Sequence, residues 1–309
     1  MSKTALLFAG QGAQYVGMGK DLAEQIPTAK NIFDKANQVL GYDLSGICFN
    51  GPEAELTKTE NCQPGIFTVS WIAMELLKER VPNFRFEATA GLSLGELTAL
   101  TAAGVFSFED GLKIARQRGR FMQEACDVTR GGMAAVLGLD EAATAEVCAA
   151  AGVEIANLNC PGQIVISGEA EKIAHAVELA KAKGAKRAIP LPVAGAYHSK
   201  LMTSAQAKVR AMLSTVATNN SVVPSISNVT AQPHATPADI HARLVEQVTS
   251  PVRWEDSMRY LLAQGFTRFI ELGPGSALSG FMKRIDKNAQ ILNITDAATL
   301  EATVKALTS

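Results

Sequence analysis

The segment that most directly suggests chemistry is GLSLG at residues 91–95, which has the pattern G-x-S-x-G. It lies between a predicted strand at 88–92 and a predicted helix, the context in which such a serine acts as a nucleophile. The glycines leave room for a sharp turn, and the free N–H groups of the helix face the position where a tetrahedral oxyanion would form. The pattern predicts that Ser93 forms an acyl-serine intermediate. An ordinary glycine-bounded turn is the alternative.

A serine hydroxyl needs a neighbouring base, and the chain contains four histidines. His175 lies in a predicted amphipathic helix, His234 in a loop rich in Pro, Ala and Thr, and His241 near the polar side of a helix. These positions favour solvated or structural roles. His198 follows a strand-like run and the glycine-bearing turn at 192–197 and opens a helix, so it is the favoured base. A histidine at a helix start without any chemistry is the alternative.

One arginine lies on the apolar half of a predicted helix that begins at a capping box, Ser107 and Asp110. This residue, Arg118, is always charged, so an inward position requires a carboxylate or several carbonyl groups to offset its desolvation. The partner could be an Asp or Glu of the protein itself. It could also be a free carboxylate on the acyl group of the substrate, which a planar guanidinium binds through two parallel hydrogen bonds. The sequence leaves both open.

Two glycine-rich loops follow predicted strands, at 10–14 (GQGAQ) and at 273–275 (GPG). Neither completes a dinucleotide-binding or phosphate-loop pattern. Glycine loops at strand ends still expose backbone N–H groups, which suits an oxyanion or another ligand. No His, Cys or Asp cluster has the spacing of metal ligands, so we predict no metal site.

The bulk composition excludes several classes of function. The net charge of −1 gives no overall positive field for nucleic acid or an anionic membrane. No apolar run approaches the ~18 residues of a membrane-spanning helix, and the N-terminal segment does not have the pattern of a signal peptide. The five scattered cysteines suit free thiols in a reducing compartment, so we expect a cytoplasmic protein.

The predicted elements indicate an α/β protein with an insertion. Residues 131–193 predict the order β-α-β-β-α-β in about 60 residues, the ferredoxin-like pattern. We therefore predict a small subdomain at 130–194 within a large α/β domain formed by 1–129 and 195–309. Beyond the insertion the predicted helices lie near 199–216, 237–248 and 255–264, and the predicted strands near 223–229, 267–272 and 290–295.

Six segments together, in this order along nearly the whole chain, resemble the malonyl-CoA:acyl-carrier-protein transacylase family. They are GQGAQ (10–14), GLSLGE (91–96), RGRFMQ (118–123), NLNCPGQ (157–163), AYHS (196–199) and ELGPG (271–275). The resemblance implies a hydrolase-like core with a parallel sheet and an inserted ferredoxin-like subdomain. This agrees with the predicted elements.

The resemblance also implies a role for each site residue. Ser93 would attack the malonyl thioester of coenzyme A, and His198 would take its proton and return it to the departing thiolate. The backbone carbonyl of Gln247 would orient this histidine in place of an aspartate. The remaining implied assignments are the backbone N–H groups of Gln11 and Leu94 as the oxyanion hole, Arg118 as the ligand of the malonyl carboxylate, and Asn159, Gln63 and Tyr197 in the substrate site.

The second half-reaction implied by the resemblance passes malonyl to the phosphopantetheine thiol of acyl carrier protein. That partner is acidic in the family's pathway, so the docking candidates are Lys186, Arg187, Lys283 and Arg284, although ordinary solvated charges are the alternative for each. Coenzyme A thioester would be a substrate, with no permanently bound cofactor, and we expect a monomer.

Two positions depart from the family's pattern. Leu92 stands where the family often has a histidine before the nucleophile, so no second histidine assists there. Tyr197 stands where Phe or Ser is frequent, and its ring favours malonyl over the α-branched methylmalonyl.

Three other functions fit part of the pattern. A serine hydrolase would share Ser93 and His198 but would release free malonate and would not need Arg118. A related acyltransferase of polyketide synthesis would use the same chemistry with a different carrier, although a free-standing chain of 309 residues favours the fatty-acid role. An inactive carrier-binding module would form no acyl-serine adduct.

Overall fold

The computed structural model describes residues 3–193 and 195–308. The chain divides into two compact units. The first unit takes in the chain through Gly119 together with Val216–Ile226 and the residues from Leu261 onward. The second unit contains Arg120–Thr215 and Ser227–Tyr260. Each unit has its own sheet.

The strands in chain order are β1 Lys3–Phe8, β2 Ala88–Gly91, β3 Gly131–Leu137, β4 Glu154–Cys160, β5 Gln163–Glu169, β6 Arg187–Pro190, β7 Phe266–Leu272 and β8 Gln290–Ile294. The α-helices are α1 Lys20–Gln25, α2 Pro27–Leu40, α3 Leu44–Asn50, α4 Glu53–Thr57, α5 Thr59–Arg80, α6 Leu94–Ala102, α7 Phe108–Val128, α8 Glu141–Ala151, α9 Ala170–Ala182, α10 Thr203–Leu213, α11 Pro237–Gln247, α12 Trp254–Ala263, α13 Ala277–Ile285 and α14 Ala297–Thr308. A short 3₁₀ helix covers Lys200–Met202.

The sheet of the first unit is parallel, with the strand order β2-β1-β7-β8. Strand β1 is apolar and buried from Thr4 to Phe8, as expected for a strand covered on both faces. Phe8 pairs in register with Gly91 of β2 and with Leu272 of β7. The three strands therefore end at the same edge of the sheet. The loops that follow them begin there, where parallel sheets place their ligands.

The sheet of the second unit is antiparallel, with the order β4-β5-β3-β6. Helix α8 connects β3 to β4, and helix α9 connects β5 to β6. Both helices contribute to one apolar core with the sheet, which includes Val136, Val147, Ile166, Ile173 and Val177. The structure has the predicted element order β-α-β-β-α-β in residues 131–193. The compact unit around it is wider than the predicted insertion at 130–194.

Two predicted elements differ from the structure. The segment 223–229 is no strand but forms an isolated parallel bridge in which Ser225 pairs with Thr89. Pro224 has no N–H to donate, so the ladder cannot extend through it. The predicted helix at 199–216 is divided into the 3₁₀ turn and α10. His198 lies in the turn that precedes them.

All five cysteines are buried and have free thiols. Burial raises the pKa of the Cys48 thiol to about 12 and those of Cys126 and Cys148 to about 11. The pKa of Cys62 is also raised by burial, beyond the usual range of thiols. Within the described part of the chain, no helix is both long and apolar enough to cross a membrane.

Candidate functional site

Ser93 lies on a strained turn between β2 and α6. Its φ of 53° and ψ of −101° are rare for a residue with a side chain, and such strain concentrates at functional sites. Glycine is required at positions 91 and 95 because other backbone atoms approach too closely to leave room for a side chain. A Cβ on Gly91 would collide with the backbone of Gly95, and a Cβ on Gly95 would collide with the carbonyl oxygen of Phe8. Three backbone segments therefore fix the position of Ser93.

The two residues predicted to form the oxyanion hole both belong to the first unit. Leu94 is the first residue of α6, so its N–H has no carbonyl partner within that helix and lies at the positive end of the helix dipole. Gln11 is in the half-buried loop that follows β1, at the edge of the sheet where β2 also ends. The sequence placed both residues near strand ends, and the structure has them there.

The guanidinium of Arg118 contacts the hydroxyl of Ser93 directly. Its Nη2 donates a hydrogen bond to Ser93 Oγ at 3.0 Å, and its Nη1 donates to Gln63 Oε1 at 2.8 Å. Gln63 in turn donates from Nε2 to the side-chain oxygen of Gln11 at 3.3 Å. Arg118 is 2% exposed and Gln63 1% exposed. The acceptors of these two Arg118 hydrogen bonds are neutral oxygens, which bind a guanidinium less strongly than a carboxylate does.

Helix α7 holds Arg118 in place by a close contact with the start of α5. A Cβ on Gly119 would collide with the carbonyl oxygen of Thr59. We expect Gly119→Ala to lower the free energy of unfolding by about 1–3 kcal/mol, because an added methyl must force the two helices apart. Chemical denaturation measures this change.

The matched control for that variant is Gly280→Ala. Gly280 is also helical, in α13, and a Cβ there meets no atom within 4 Å. This change should be neutral or should stabilise the protein by up to ~1 kcal/mol, because alanine favours a helix over glycine. Equal effects of the two substitutions would mean that the contact between Gly119 and Thr59 is not tight.

The third loop at the sheet edge is fixed by a buried carboxylate. Glu271, near the end of β7, accepts hydrogen bonds from the backbone N–H groups of Leu278 and Ser279 in the first turn of α13, at 3.0 and 2.7 Å. Burial raises the pKa of this carboxyl, and the hydrogen bonds from α13 oppose that shift. These hydrogen bonds connect β7, which precedes the glycine loop 273–275, to α13, which follows it.

His198 is oriented by a backbone carbonyl within the second unit. Its Nδ1 lies 2.8 Å from the carbonyl oxygen of Gln247. Because a carbonyl only accepts, Nδ1 carries the proton, and the neutral ring has its lone pair on Nε2, as a general base requires. Gln247 ends α11, so this carbonyl is at the negative end of a helix dipole. That end of the dipole favours a positive charge on the His198 ring.

Asn228 is a site residue that the sequence did not reveal. It is buried, its side-chain oxygen accepts a hydrogen bond from Gln247 Nε2 at 3.4 Å, and its carbonyl accepts one from the N–H of Arg253 at 2.8 Å. It therefore supports the residue that orients His198. The segment 223–229 contains two other polar residues, both serines, so no signal in the sequence singled out Asn228.

The two remaining substrate-site candidates of the second unit are buried. Tyr197 is the residue before His198 in the sequence, and its hydroxyl forms a hydrogen bond with the Cys126 thiol. Asn159 is on β4, and its Oδ1 has no hydrogen-bond partner among the residues that the structure describes. An unpartnered buried amide oxygen is available to a donor on a ligand.

The docking candidates are exposed but belong to different units. Arg187 is the first residue of β6 in the second unit and Lys186 directly precedes it, whereas Lys283 and Arg284 are in the last turn of α13 in the first unit. Over residues 3–193 and 195–308, no group of three or more His, Cys, Asp or Glu side chains is placed to hold a metal ion.

Comparisons with known proteins identify the family of the chain. The family model of the acyl transferase domain matches residues 5–303. The chain is 47% identical to the malonyl CoA-acyl carrier protein transacylase of Bacillus subtilis strain 168, over 99% of this chain and 98% of that protein. The crystal structure of an acyl-carrier-protein-S-malonyltransferase from Bartonella henselae matches with a TM-score of 0.95 at 40% identity, over 99% of this chain and 100% of that one.

A malonyl-transacylase solved in complex with its type II PKS acyl-carrier protein also matches, with a TM-score of 0.95 at 35% identity, over 99% of this chain and 100% of that chain. The resemblance predicted from six sequence segments is confirmed. The chain belongs to the malonyl CoA-acyl carrier protein transacylase family.

Proposed function

We propose that this chain transfers malonyl from coenzyme A to the phosphopantetheine thiol of an acyl carrier protein by a ping-pong mechanism. The observation that carries the proposal is the hydrogen bond between Arg118 Nη2 and Ser93 Oγ. It places a permanent positive charge within reach of any acyl group on the nucleophile, and a malonyl group has a carboxylate to meet it. The names of the relatives support the same substrate and carrier.

In the first half-reaction Ser93 Oγ attacks the thioester carbonyl carbon, while its proton moves to Nε2 of His198. The oxyanion accepts hydrogen bonds from the N–H groups of Gln11 and Leu94. Its collapse breaks the bond to sulfur, and the departing thiolate takes the proton from His198. Arg118 holds the malonyl carboxylate throughout. We propose the role of His198 from its motif, its tautomer and its carbonyl partner.

In the second half-reaction the carrier thiol gives its proton to His198 and attacks the carbonyl carbon of the malonyl-serine ester. The ester bond to Ser93 Oγ then breaks, and Ser93 takes the proton back from His198. The solved complex of a related malonyl-transacylase with an acyl-carrier protein supports this partner. Lys186, Arg187, Lys283 and Arg284 stay candidates for contacts with an acidic carrier. Asn159 and Gln63 complete the proposed substrate site, and Tyr197 disfavours α-branched acyl groups.

The finer structural assignments are also proposals. We describe the first unit as hydrolase-like because a nucleophile turn follows a strand of its parallel sheet. The strand order and helix connections of the second sheet support a ferredoxin-like subdomain at 130–194, with the large domain formed by 1–129 and 195–309. A monomer without a permanently bound cofactor, in the cytoplasm, stays a prediction.

Intact-mass spectrometry after mixing the protein with malonyl-CoA tests the proposed function. We expect one malonyl adduct per chain that persists until a carrier with its phosphopantetheine arm is added and then moves to that carrier. Steady release of free malonate without a carrier would indicate a serine hydrolase instead, and no adduct would indicate a carrier-binding module.

The match to a transacylase of a type II PKS carrier makes polyketide synthesis the second candidate. Both roles use the same adduct and differ only in the carrier. Transfer rates from the malonyl-enzyme to a fatty-acid carrier and to a polyketide carrier separate them. We expect the fatty-acid carrier to react faster, and a preference for the polyketide carrier would reverse the assignment.

Arg118→Ala should lower malonyl acylation of Ser93 by about 30-fold to several thousand-fold, because losing one partner of a buried charge pair costs ~2–5 kcal/mol. Acetyl acylation should remain or improve, since acetyl has no carboxylate. Single-turnover rates with malonyl-CoA and acetyl-CoA measure the difference. A parallel loss of both rates would make Arg118 a structural residue.

A further inference from the structure

The hydrogen bond between Arg118 and Ser93 also has a consequence for substrate selection. We propose that the Ser93 hydroxyl is the resting partner of Arg118 Nη2, and that the acyl carboxylate of the substrate replaces it there. The substrate's own carboxylate then releases the nucleophile. This inference rests on the proposed function, because it needs an acyl group that carries a carboxylate.

We expect the exchange because a carboxylate is a stronger acceptor for a guanidinium than the Ser93 hydroxyl is. A hydroxyl oxygen is a neutral acceptor, whereas a carboxylate offers two charged oxygens that match the planar fork of a guanidinium. The contact to Ser93 Oγ is 3.0 Å long, and the contact from Nη1 to Gln63 Oε1 is 2.8 Å long. Gln63 therefore holds one side of the guanidinium, while Nη2 passes from the hydroxyl to the incoming carboxylate. The guanidinium stays protonated and no covalent bond changes in this step.

The backbone around Arg118 does not take part in the exchange. Gly119 packs so closely on the carbonyl oxygen of Thr59 that a methyl group would not fit between them. Ser93 is likewise fixed by the approach of Gly95 to Phe8. The exchange therefore needs only changes in the side-chain torsions of Arg118 and Ser93.

The release of Ser93 adds to selectivity beyond binding. A lone pair on Oγ that accepts from a cationic donor is less available for attack on a carbonyl carbon. A thioester without a carboxylate, such as acetyl-CoA, leaves that donor on Ser93 and meets a nucleophile of lower reactivity. The same arginine thus acts on the affinity for malonyl-CoA and on the rate of the acylation that follows.

If the Ser93 hydroxyl and a ligand carboxylate compete for Arg118 Nη2, removing the hydroxyl should strengthen binding of a ligand that has a carboxylate. Two thioether derivatives of coenzyme A, S-(2-carboxyethyl) and S-ethyl, have no acyl carbonyl and cannot acylate the wild-type protein. By calorimetry we expect Ser93→Ala to bind the carboxyethyl derivative about tenfold more tightly than wild type, the scale of one hydrogen bond to a charged group. The affinity for the S-ethyl derivative should change by less than about twofold, since this ligand does not compete for the arginine.

Two further variants locate the effect. Ser225→Ala removes another buried hydroxyl of the first unit, one without a hydrogen-bond partner among the described residues, and should leave both affinities unchanged. In an Arg118→Met background, Ser93→Ala should no longer strengthen binding of the carboxyethyl derivative, as in a double-mutant cycle. The proposal is overturned if Ser93→Ala changes both affinities equally, if it fails to strengthen carboxyethyl binding, or if the gain persists without Arg118.

These outcomes are distinct from failure of the proposed function itself. Absence of a malonyl adduct on the wild-type protein would remove the proposed function. An adduct that forms normally, together with equal affinities in wild type and Ser93→Ala, would remove only the exchange at Arg118.

Discussion

Replacing Ser93 by alanine should abolish the malonyl adduct and lower carrier malonylation by up to ~10⁶-fold, the loss found when a serine nucleophile is removed. The oxygen lost is the atom that forms the ester in the proposed mechanism, and the neighbouring Leu92 and Leu94 side chains carry no nucleophile to replace it. Quenched single-turnover mixtures with malonyl-CoA, analysed by intact mass and by carrier malonylation, measure both quantities.

Two controls accompany this variant. Ser93→Cys keeps a nucleophile at the same position and should still form an adduct, now as a thioester. Thermal unfolding should show that Ser93→Ala remains folded, because alanine also has a Cβ and meets the same backbone strain at a φ of 53°. An adduct of undiminished yield on Ser93→Ala would assign the nucleophile to another residue.

Replacing His198 by alanine should slow acylation of Ser93 by about 10²–10⁴-fold, the usual contribution of a general base. The ring is held by the Gln247 carbonyl in the tautomer that leaves the lone pair on Nε2, so its loss removes both the proton acceptor and the later proton donor. Both half-reactions should therefore slow. Rapid-quench measurement of malonyl-enzyme formation and of transfer to the carrier follows each half separately.

His175→Ala provides the matched control for His198. His175 is exposed on α9 of the second unit, so its removal should leave both half-reactions within about twofold of wild type, as expected for a surface substitution. Near-normal acylation by His198→Ala would exclude this histidine as the base.

Elements with a strong local pattern were predictable from the sequence. Helix α7 begins where the capping box indicated, since Ser107 Oγ accepts from the N–H of Asp110 at 3.0 Å. The apolar periodicity of α7 placed Arg118 on its buried side. The strand predicted at 223–229 is absent because the Val and Ile residues of this segment do not show whether its backbone groups can pair along a strand. Pro224 has no N–H, so pairing cannot extend past it from the bridge between Ser225 and Thr89.

The parts of the site that the sequence could not supply depend on contacts between distant residues. Gln63 contacts Gln11 and Arg118 across separations of 52 and 55 residues, and no local pattern encodes such a meeting. The partner of Arg118, a carboxylate of the protein or one of the substrate, is likewise not encoded by any local pattern. Asn228 was hidden for the same reason, because its importance lies in its contact with Gln247.

The burial of the five cysteines bears on how such a protein handles thioesters. Sulfur nucleophiles exchange acyl groups readily, but only as thiolates, and the raised pKa values of Cys48, Cys126 and Cys148 leave almost none ionised at neutral pH. Because all five side chains are also shielded from solvent, bound acyl-CoA meets no competing sulfur of the protein. Burial therefore protects the protein's own thiols from acylation, so they do not compete with Ser93, the proposed nucleophile, for the acyl group.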